Sequence, residues 1–375
     1  MLCYELNSSQ ISGLKLLSED MALQLSKMEA WPLDLKDPMK RLAMVSNIGA
    51  STRIENAVLT DAEVYWIDTE LSESSRPTSF REKEAWIENK LSKDRERSIE
   101  EVAGCRAMLQ IIYGQAQELF PVTETSLRAL HQELLQFYPP ARPYLGRYKV
   151  VTNSVIERDR RGGQERTVFR TADPGPITEA AMHDLVQWYN QELPQNPWSV
   201  PVACEWVFRF LAIHPFQDGN GRLGRGLWAL ALLQSPDTTL ARLAPYLAVD
   251  RQIERHRQEY YQVLQRCSGG EFHQDPSRFQ IGHFLQFMIK MLRLSLQDID
   301  FYRGRVLAVQ ELSESALKVY EAFRDHPEKR LSTQELLRLT GLPRRTIIHA
   351  FNRLVERSLI QRRGRGAGVR YQVLF

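Results

Sequence analysis

The sequence predicts a mainly α-helical protein with one β-hairpin near its middle and a small α+β unit towards its C-terminal end. Three observations predict it. Apolar residues recur at three- and four-residue spacing over most of the chain, as in 99–113, 127–138 and 203–213. One stretch, 147–176, departs from that period: 153–156 and 167–171 are rich in β-branched and apolar residues, and Arg161-Gly162-Gly163 supplies a reversal. From Leu317 onward, short amphipathic helices are followed by an alternating strand.

Composition bounds the reading. A chain of 375 residues is long enough for two or three domains with real cores. Contents of 43% hydrophobic and 25% charged residues are those of a soluble globular protein, and a net charge of +3 is mild. Glu5 precedes the first lysine, Lys15, so no secretory signal is expected. The most apolar helices, 226–233 and 284–296, are short or carry Lys290 and Arg293, so no membrane span is expected. Cys3, Cys105, Cys204 and Cys267 match no metal or disulfide spacing. They are expected as small core residues in a reducing cytoplasm.

In chain order, residues 1–40 read as irregular with one helical patch, because Trp31-Pro32-Leu33 and Asp37-Pro38 should break a longer helix. Residues 40–60 are helix-compatible. Residues 62–140 read as a run of helices, with a start at Pro121-Val122-Thr123-Glu124 and an end at Pro139-Pro140 and Pro143. After the hairpin, Thr178-Glu179 starts a helix that Asn196-Pro197 separates from the next pair. Residues 301–313 read as a linker helix. Leu317, Tyr320 and Phe323 then mark a first short helix, and Ser332-Thr333-Gln334-Glu335 is a capping box for a second. Thr340-Gly341-Leu342-Pro343 is a turn. A third helix, 344–357, should bury Ile347, Phe351, Leu354 and Val355. Val369, Tyr371, Val373 and Phe375 alternate as a strand after the arginine-rich loop 362–370.

The chemistry concentrates at His214-Pro215-Phe216-Gln217-Asp218-Gly219-Asn220-Gly221-Arg222-Leu223-Gly224-Arg225. It reads as helix, tight polar loop, helix. Successive N–H groups at such a loop, backed by a helix N-terminus, form an anion nest. Arg222 and Arg225 lie one turn apart and can point the same way. Asp218 would repel a bare phosphate there, and a Mg²⁺ between them resolves the conflict. His214 is the side chain able to take a proton near neutral pH. Taken singly, each feature has a plain structural reading: a helix-end histidine, a turn, a solvated arginine face. Their co-occurrence in twelve residues is what points to a site.

The stretch resembles the signature of the Fic family, His-Pro-Phe-x-(Asp/Glu)-Gly-Asn-(Gly/Lys)-Arg-x-x-Arg, with no departure. The resemblance implies a Fic helical core with a β-hairpin flap, and a protein adenylyltransferase that moves AMP from ATP to a Ser, Thr or Tyr hydroxyl and releases pyrophosphate. By position, His214 would be the general base, Phe216 the buried anchor and Asp218 the Mg²⁺ ligand. Gly219, Asn220, Gly221, Arg222, Leu223, Gly224 and Arg225 would hold the nucleotide, the two arginines at the β- and γ-phosphates. Such transfer needs positioning and charge neutralisation more than covalent chemistry.

Further readings follow from the same resemblance. Ser51-Thr52-Arg53-Ile54-Glu55-Asn56 fits the family's inhibitory pattern Ser/Thr-x-x-x-Glu-Gly/Asn, with Glu55 set against Arg225 in a two-pronged ion pair. The plain alternative is an ordinary surface helix. The hairpin would be the flap that receives a target strand; Pro174-Gly175-Pro176 departs slightly from the family's adjacent prolines. Tyr260-Tyr261-Gln262-Val263-Leu264 resembles the family's Tyr-Tyr-x-x-Leu near the adenine pocket, and Ser268 falls where some relatives place Asn. The last unit resembles a winged helix-turn-helix. Arg344, Arg345, His349, Asn352 and Arg353 would lie on its outer helix face, with Arg362, Arg363, Arg365 and Arg370 on the wing, and the acidic residues from 331 onward are only Glu335 and Glu356. That asymmetry suits double-stranded DNA; the alternative is protein contact. The expected divisions are 1–110, a helical region with an inhibitory helix near 45–60, 111–300, a Fic core, and 301–375, a winged helix-turn-helix. Expected partners are a protein with a hydroxyl side chain (including this chain itself), duplex DNA and a second copy. Two rival functions are a DNA-binding regulator whose core senses nucleotide, and removal of AMP with Glu55 orienting water.

Overall fold

The structure, a computed structural model, describes residues 1–72, 80–92, 95–158 and 165–375. Helices α1 (Ser8–Glu29), α2 (Leu33–Ile54), α3 (Asp61–Ser72), α4 (Phe80–Leu91), α5 (Glu96–Gln115) and α6 (Glu124–Leu135) lead to strands β1 (Ser154–Arg158) and β2 (Glu165–Arg170). Helices α7 (Pro176–Gln195), α8 (Ser199–Ile213), α9 (Asn220–Leu233), α10 (Thr238–Leu243), α11 (Val249–Arg255), α12 (Arg257–Ser268) and α13 (Gly282–Gln310) follow. The chain closes with α14 (Glu314–Arg324), α15 (Thr333–Thr340), α16 (Arg344–Glu356) and the hairpin of β3 (Ile360–Arg363) and β4 (Arg370–Val373).

One apolar core runs from Leu14 to Val306 and takes in helices from both sides of residue 110. A second core, from Ala316 to Val373, belongs to the C-terminal unit. The two units meet where Phe375 lies against Tyr65, with ring centroids 6.0 Å apart. There Arg305 also donates to the Ser358 and Leu374 carbonyls at 2.6 and 2.5 Å. No helix among the described residues is long and apolar enough to cross a membrane. Cys105, Cys204 and Cys267 are buried free thiols.

Three local expectations need correction. Residues 8–29 and 33–40 are helical: the break falls at Trp31-Pro32, but Pro38 sits inside α2. A proline this near a helix start removes one hydrogen bond, and the buried face of Leu35, Met39 and Ala43 outweighs that loss. Residues 301–310 continue α13 without a break. Val355 is 39% exposed rather than buried, because Ile347, Phe351 and Leu354 already fill the inner face of α16.

The middle hairpin is antiparallel, with Ser154 opposite Arg170 and a register shift between Val155 and Ile156. The proposed reversal at 161–163 lies outside the described residues. The Arg170 N–H on β2 donates to the Gly270 carbonyl at 3.0 Å, which ties the hairpin to the end of α12.

Helix α6 places the motif loop. Its Leu134 and Leu135 lie under Gly219, and its His131 reaches the Asp218 carbonyl. Helix α6 is held in turn by α5 at Gly104, where a Cβ would run into the Leu134 carbonyl. Gly104→Ala is therefore expected to push α6 away from α5. Such overpacking costs about 1–3 kcal/mol. A lowered urea midpoint, with weakened nucleotide binding in the same protein, is the expected result; an unchanged midpoint would show that the helices separate freely.

Candidate active site

Helix α8 is buried along nearly its whole length and ends at His214, which adopts φ 52° and ψ 59°. A non-glycine residue in this left-handed region costs of order 1 kcal/mol, tolerated where the surroundings fix it. The His214 N–H donates to the Phe210 carbonyl at 2.9 Å, so the residue caps the helix. Its Nδ1 lies 3.3 Å from the Leu211 carbonyl. A carbonyl can only accept, so Nδ1 carries the proton and Nε2 keeps its lone pair. Burial first, then the positive charge of Lys149, push the His214 pKa down to about 4. The ring is therefore a neutral base across the physiological range.

The loop after His214 is closed by Asn220. Its side-chain oxygen takes the Phe216 N–H at 2.9 Å, and its NH₂ donates to the Phe216 carbonyl at 2.7 Å. Phe216 is fully buried and stacks on His131 with centroids 3.9 Å apart. His131 accepts the Gly146 N–H at Nδ1, so its Nε2–H donates to the Asp218 carbonyl at 3.0 Å. Burial holds the His131 pKa down to about 4, which keeps that neutral pairing intact. Gly219 then takes φ 80° as the N-cap of α9, a conformation that glycine adopts without penalty.

The first-turn N–H groups of Asn220, Gly221 and Arg222 have no partner inside α9. The Leu223 N–H is the first one committed, to the Gly219 carbonyl at 2.9 Å. This turn faces a cavity of about 260 Å³. Arg222 is nearly fully buried beside it; its Nη2 donates to Asp218 Oδ1 at 3.2 Å, and Glu101 lies 3.6 Å from its Nη1. Its Nε and Nη1 have no hydrogen-bond acceptor among the described residues. Buried guanidinium N–H groups normally find acceptors, and an anion's oxygens in the cavity can serve as such.

Arg225 is bonded to the end of α2. Its Nε donates to Ser51 Oγ and its Nη2 to Ser51 O, both at 2.8 Å, and Nη2 also donates to Glu55 Oε1 at 2.9 Å. The ion pair is thus single-pronged, because Ser51 takes Nε and shares Nη2 with Glu55. Burial alone would lower the Arg225 pKa, but the Glu55 carboxylate helps hold it above the ordinary guanidinium value. Asp250, buried behind it, is pushed up to about 6 by burial, against the pull of Arg225 and the Ser51 hydroxyl. Glu55 ends α2, and Asn56 follows at φ 75°, which explains why the sixth position of that pattern is Gly or Asn. Gly221 makes the approach possible: a Cβ there would meet the Glu55 carboxylate.

Glu55, His214, Asp218, Gly219, Asn220, Gly221, Arg222, Arg225, Tyr260 and Tyr261 all line the cavity. Leu223 and Gly224 do not. Leu223 is fully buried, and Gly224 faces Leu211 and Phe210, since α9 turns both towards the core. Tyr260 packs towards Phe284 and Phe287, and Tyr261 lies under Arg257 at 5.3 Å. Ser268 is spent on the α12 end, donating to Gln265 O and accepting from Gly270 N–H, and does not reach the cavity. Arg344, Arg345, Arg353, Arg362 and Arg363 lie on the C-terminal unit, exposed and apart from this cavity.

Sequence reasoning did not single out Arg97, Glu101, Asn153 or Arg257, which also line the cavity, nor His131 and Lys149 behind it. Glu101 and His131 sit on amphipathic helices where nothing in the local pattern marks them. Lys149 had one available signal, a lone lysine in the run Tyr148-Lys149-Val150-Val151.

The fold has solved counterparts. A Fic family protein from Desulfovibrio desulfuricans superposes with a TM-score of 0.57 at 22% identity, over 100% of this chain and 98% of that one. A Fic domain containing signaling protein from Bacteroides thetaiotaomicron gives 0.54 at 22% identity, over 79% and 97%. Fic-1 from C. elegans gives 0.54 at 17% identity, over 80% and 73%. In sequence, a Fido domain-containing protein from Dictyostelium discoideum is 42% identical over 85 residues, 22% of this chain and 56% of that relative, so the match spans a little over half its length. Residues 121–232 match the Fic/DOC family. Helix α6, the hairpin and the loop from His214 to Arg225 fall inside that stretch, so the part of the chain that builds the cavity's motif loop is the part similar to the Fic/DOC family.

Proposed function

We propose that this protein transfers AMP from ATP to a Ser, Thr or Tyr hydroxyl of a protein, and that Glu55 restrains it. The observation that carries the reading is a neutral His214 with Nε2 free, in one cavity with the α9 N-terminus and two buried arginines. The family's general transfer of nucleoside monophosphates to proteins supports it. In the step, the hydroxyl oxygen bonds to the α-phosphorus as Nε2 takes its proton. The bond to the β-phosphate oxygen breaks, and pyrophosphate leaves with that electron pair. The N–H groups of Asn220, Gly221 and Arg222, with the Arg222 guanidinium, neutralise charge at the leaving side. Arg225 would take the γ-phosphate once Glu55 withdraws.

Asp218 fits a Mg²⁺ site. Its Oδ1 is held by the Gly219 N–H at 2.5 Å and by Arg222, and its half-open carboxylate lines the cavity. One carboxylate plus phosphate oxygens and water is what Mg²⁺ favours. When bound, the ion would supply charge neutralisation on the phosphates.

For the C-terminal unit we infer a winged helix-turn-helix that binds duplex DNA. The order α14–α15–α16–β3–β4 supports it, as do the exposed Arg344, Arg345, His349, Asn352 and Arg353 on α16 and Arg362, Arg363, Arg365 and Arg370 beyond. DNA retention by the full chain should fall steeply with salt, and Arg345→Ala with Arg353→Ala should flatten the slope by about one unit per lost phosphate contact. Absence of retention at low salt would favour a protein-contact role.

His214→Ala should lower transfer on the order of 10²–10⁴-fold while leaving ATP binding intact. The measurement is label incorporation from α-labelled ATP, with γ-labelled ATP as control. Label from the α position alone means AMP transfer; equal labelling by the variant would remove His214 as base. Release of AMP from a modified protein, with no incorporation, would favour the reverse reaction.

Glu55→Gly should raise transfer, since a triphosphate displaced by about 1 Å loses around a hundredfold in rate. Glu55 closes α2 rather than sitting inside it, so glycine there costs less than the ~1 kcal/mol of a helix interior. Glu55→Gln keeps an acceptor for Arg225 without the charge and should fall between wild type and Glu55→Gly. Equal rates in all three proteins, with normal ATP binding, would leave Glu55 a surface residue.

A further inference from the structure

Lys149 is 2% exposed and has no carboxylate within ion-pair distance among the described residues. Its ammonium has three donors and finds three acceptors: Asn153 Oδ1 at 2.9 Å, Thr171 Oγ1 at 2.9 Å and the Ile213 carbonyl at 3.0 Å. Its backbone N–H donates to the Pro215 carbonyl at 2.7 Å. Each partner has a distinct place. Asn153 immediately precedes β1, and Thr171 immediately follows β2. Ile213 is the last residue of α8, and Pro215 follows His214.

We propose that Lys149 is a positioning residue of this site: it fastens both ends of the β1–β2 hairpin to the end of α8, and it sets a positive charge beside His214. The first half follows from geometry. Thr171 Oγ1 also shares its proton between the Asn153 carbonyl and side-chain oxygen, at 2.9 and 2.7 Å, so the hairpin base is a closed ring of bonds. Asn153 Nδ2 extends that ring to the Phe216 carbonyl at 2.8 Å, the group that Asn220 also holds. Moving the hairpin therefore moves the loop beside the base.

The second half follows from charge. The end carbonyls of α8 carry the negative pole of its dipole, and a cation there is stabilised. The Ile213 carbonyl, with Asn153 and Thr171, solvates the ammonium, while burial draws the Lys149 pKa down only to about 8, with Asp173 opposing. The group stays charged at neutral pH. Facing the His214 ring are Lys149 from the segment before β1, Glu55 from the end of α2 and Asp218 from the loop. The two carboxylates favour imidazolium, and Lys149 is the cation among the three that opposes them. Without it, the base would be protonated at higher pH.

The inference deepens the transferase reading, and its test does not depend on that reading. In the full chain, the His214 ring is titrated by NMR, assigned with His214→Gln, and hairpin amide exchange is followed in parallel. Lys149→Gln removes the charge and keeps a donor; Lys149→Arg keeps the charge in a different shape. In Lys149→Gln the His214 pKa should rise by about half a unit or more, since a nearby like charge is lost. In Lys149→Arg it should stay at the wild-type value. Amides of β1 and β2 should exchange about tenfold faster in both variants as the base of the hairpin loosens. In an active background, the acid limb of kcat/KM should move up with the His214 titration in Lys149→Gln alone. Should Lys149→Gln fail to fold, the exchange of Lys149→Arg still decides the fastening. An unchanged His214 titration in a folded Lys149→Gln, or wild-type hairpin exchange in both variants, would overturn the proposal, whether or not the protein transfers AMP.

Discussion

The pairing of the Asn220 side chain with the Phe216 peptide unit is the interaction on which the site depends. Two buried hydrogen bonds between an amide and a peptide imitate a strand pair inside one turn, and each would leave an orphaned polar group if broken. That closure turns the α9 N-terminus towards the cavity, sets Phe216 into its stack on His131, and leaves His214 in a conformation its own backbone disfavours. Asn220 acts inward through its side chain and outward only through its N–H. A loop so fixed presents donors that need no reorganisation when charge develops, which is where electrostatic catalysis draws its strength.

Around that loop the charges are arranged in unequal pairs. Arg222 and Arg225 are both nearly dry, and a dry guanidinium without a carboxylate would be strongly destabilising. Arg222 is balanced by Glu101 and Asp218 at 3.6 and 3.2 Å, yet keeps N–H groups without acceptors. Arg225 is balanced from behind by Asp250 and in front by the half-exposed Glu55. The rear partner belongs to the scaffold. The front partner is the one solvent and ligand can reach, so it is the one that can exchange.

Much of this was legible in the sequence, for stated reasons. The twelve residues from His214 to Arg225 are contiguous, so their chemistry could be read as a unit. Residues brought in from elsewhere were harder. Glu55 carries a short pattern with a physical basis, a left-handed residue after it, and the structure sets it against Arg225. Glu101 and His131 lie on helix faces whose period is the same whether a residue faces a site or a core. The helix at the start of the chain was missed because Pro38 was weighed as a breaker, while the apolar face around it decided the outcome. The expected two-pronged ion pair at Arg225 is single-pronged: the pattern gives Ser51 no role, while in the structure Ser51 takes two of the three hydrogen bonds that Arg225 makes to α2. Leu223 and Gly224 were assigned by adjacency, and the helical turn carries them away from the cavity.

Gly221 has a consequence for how such chains can diverge. The loop's own closure runs between Asn220 and Phe216 and uses no side chain at 221. With glycine, α2 can lay a carboxylate across the start of α9; with any side chain, the Cβ already fills the place that the Glu55 carboxylate occupies. Residues 55 and 221, far apart in the chain, therefore constrain one another. A side chain at 221 would make the Glu55 carboxylate, the far end of a flexible side chain, swing from its present place against Arg225 without any change in α2 itself.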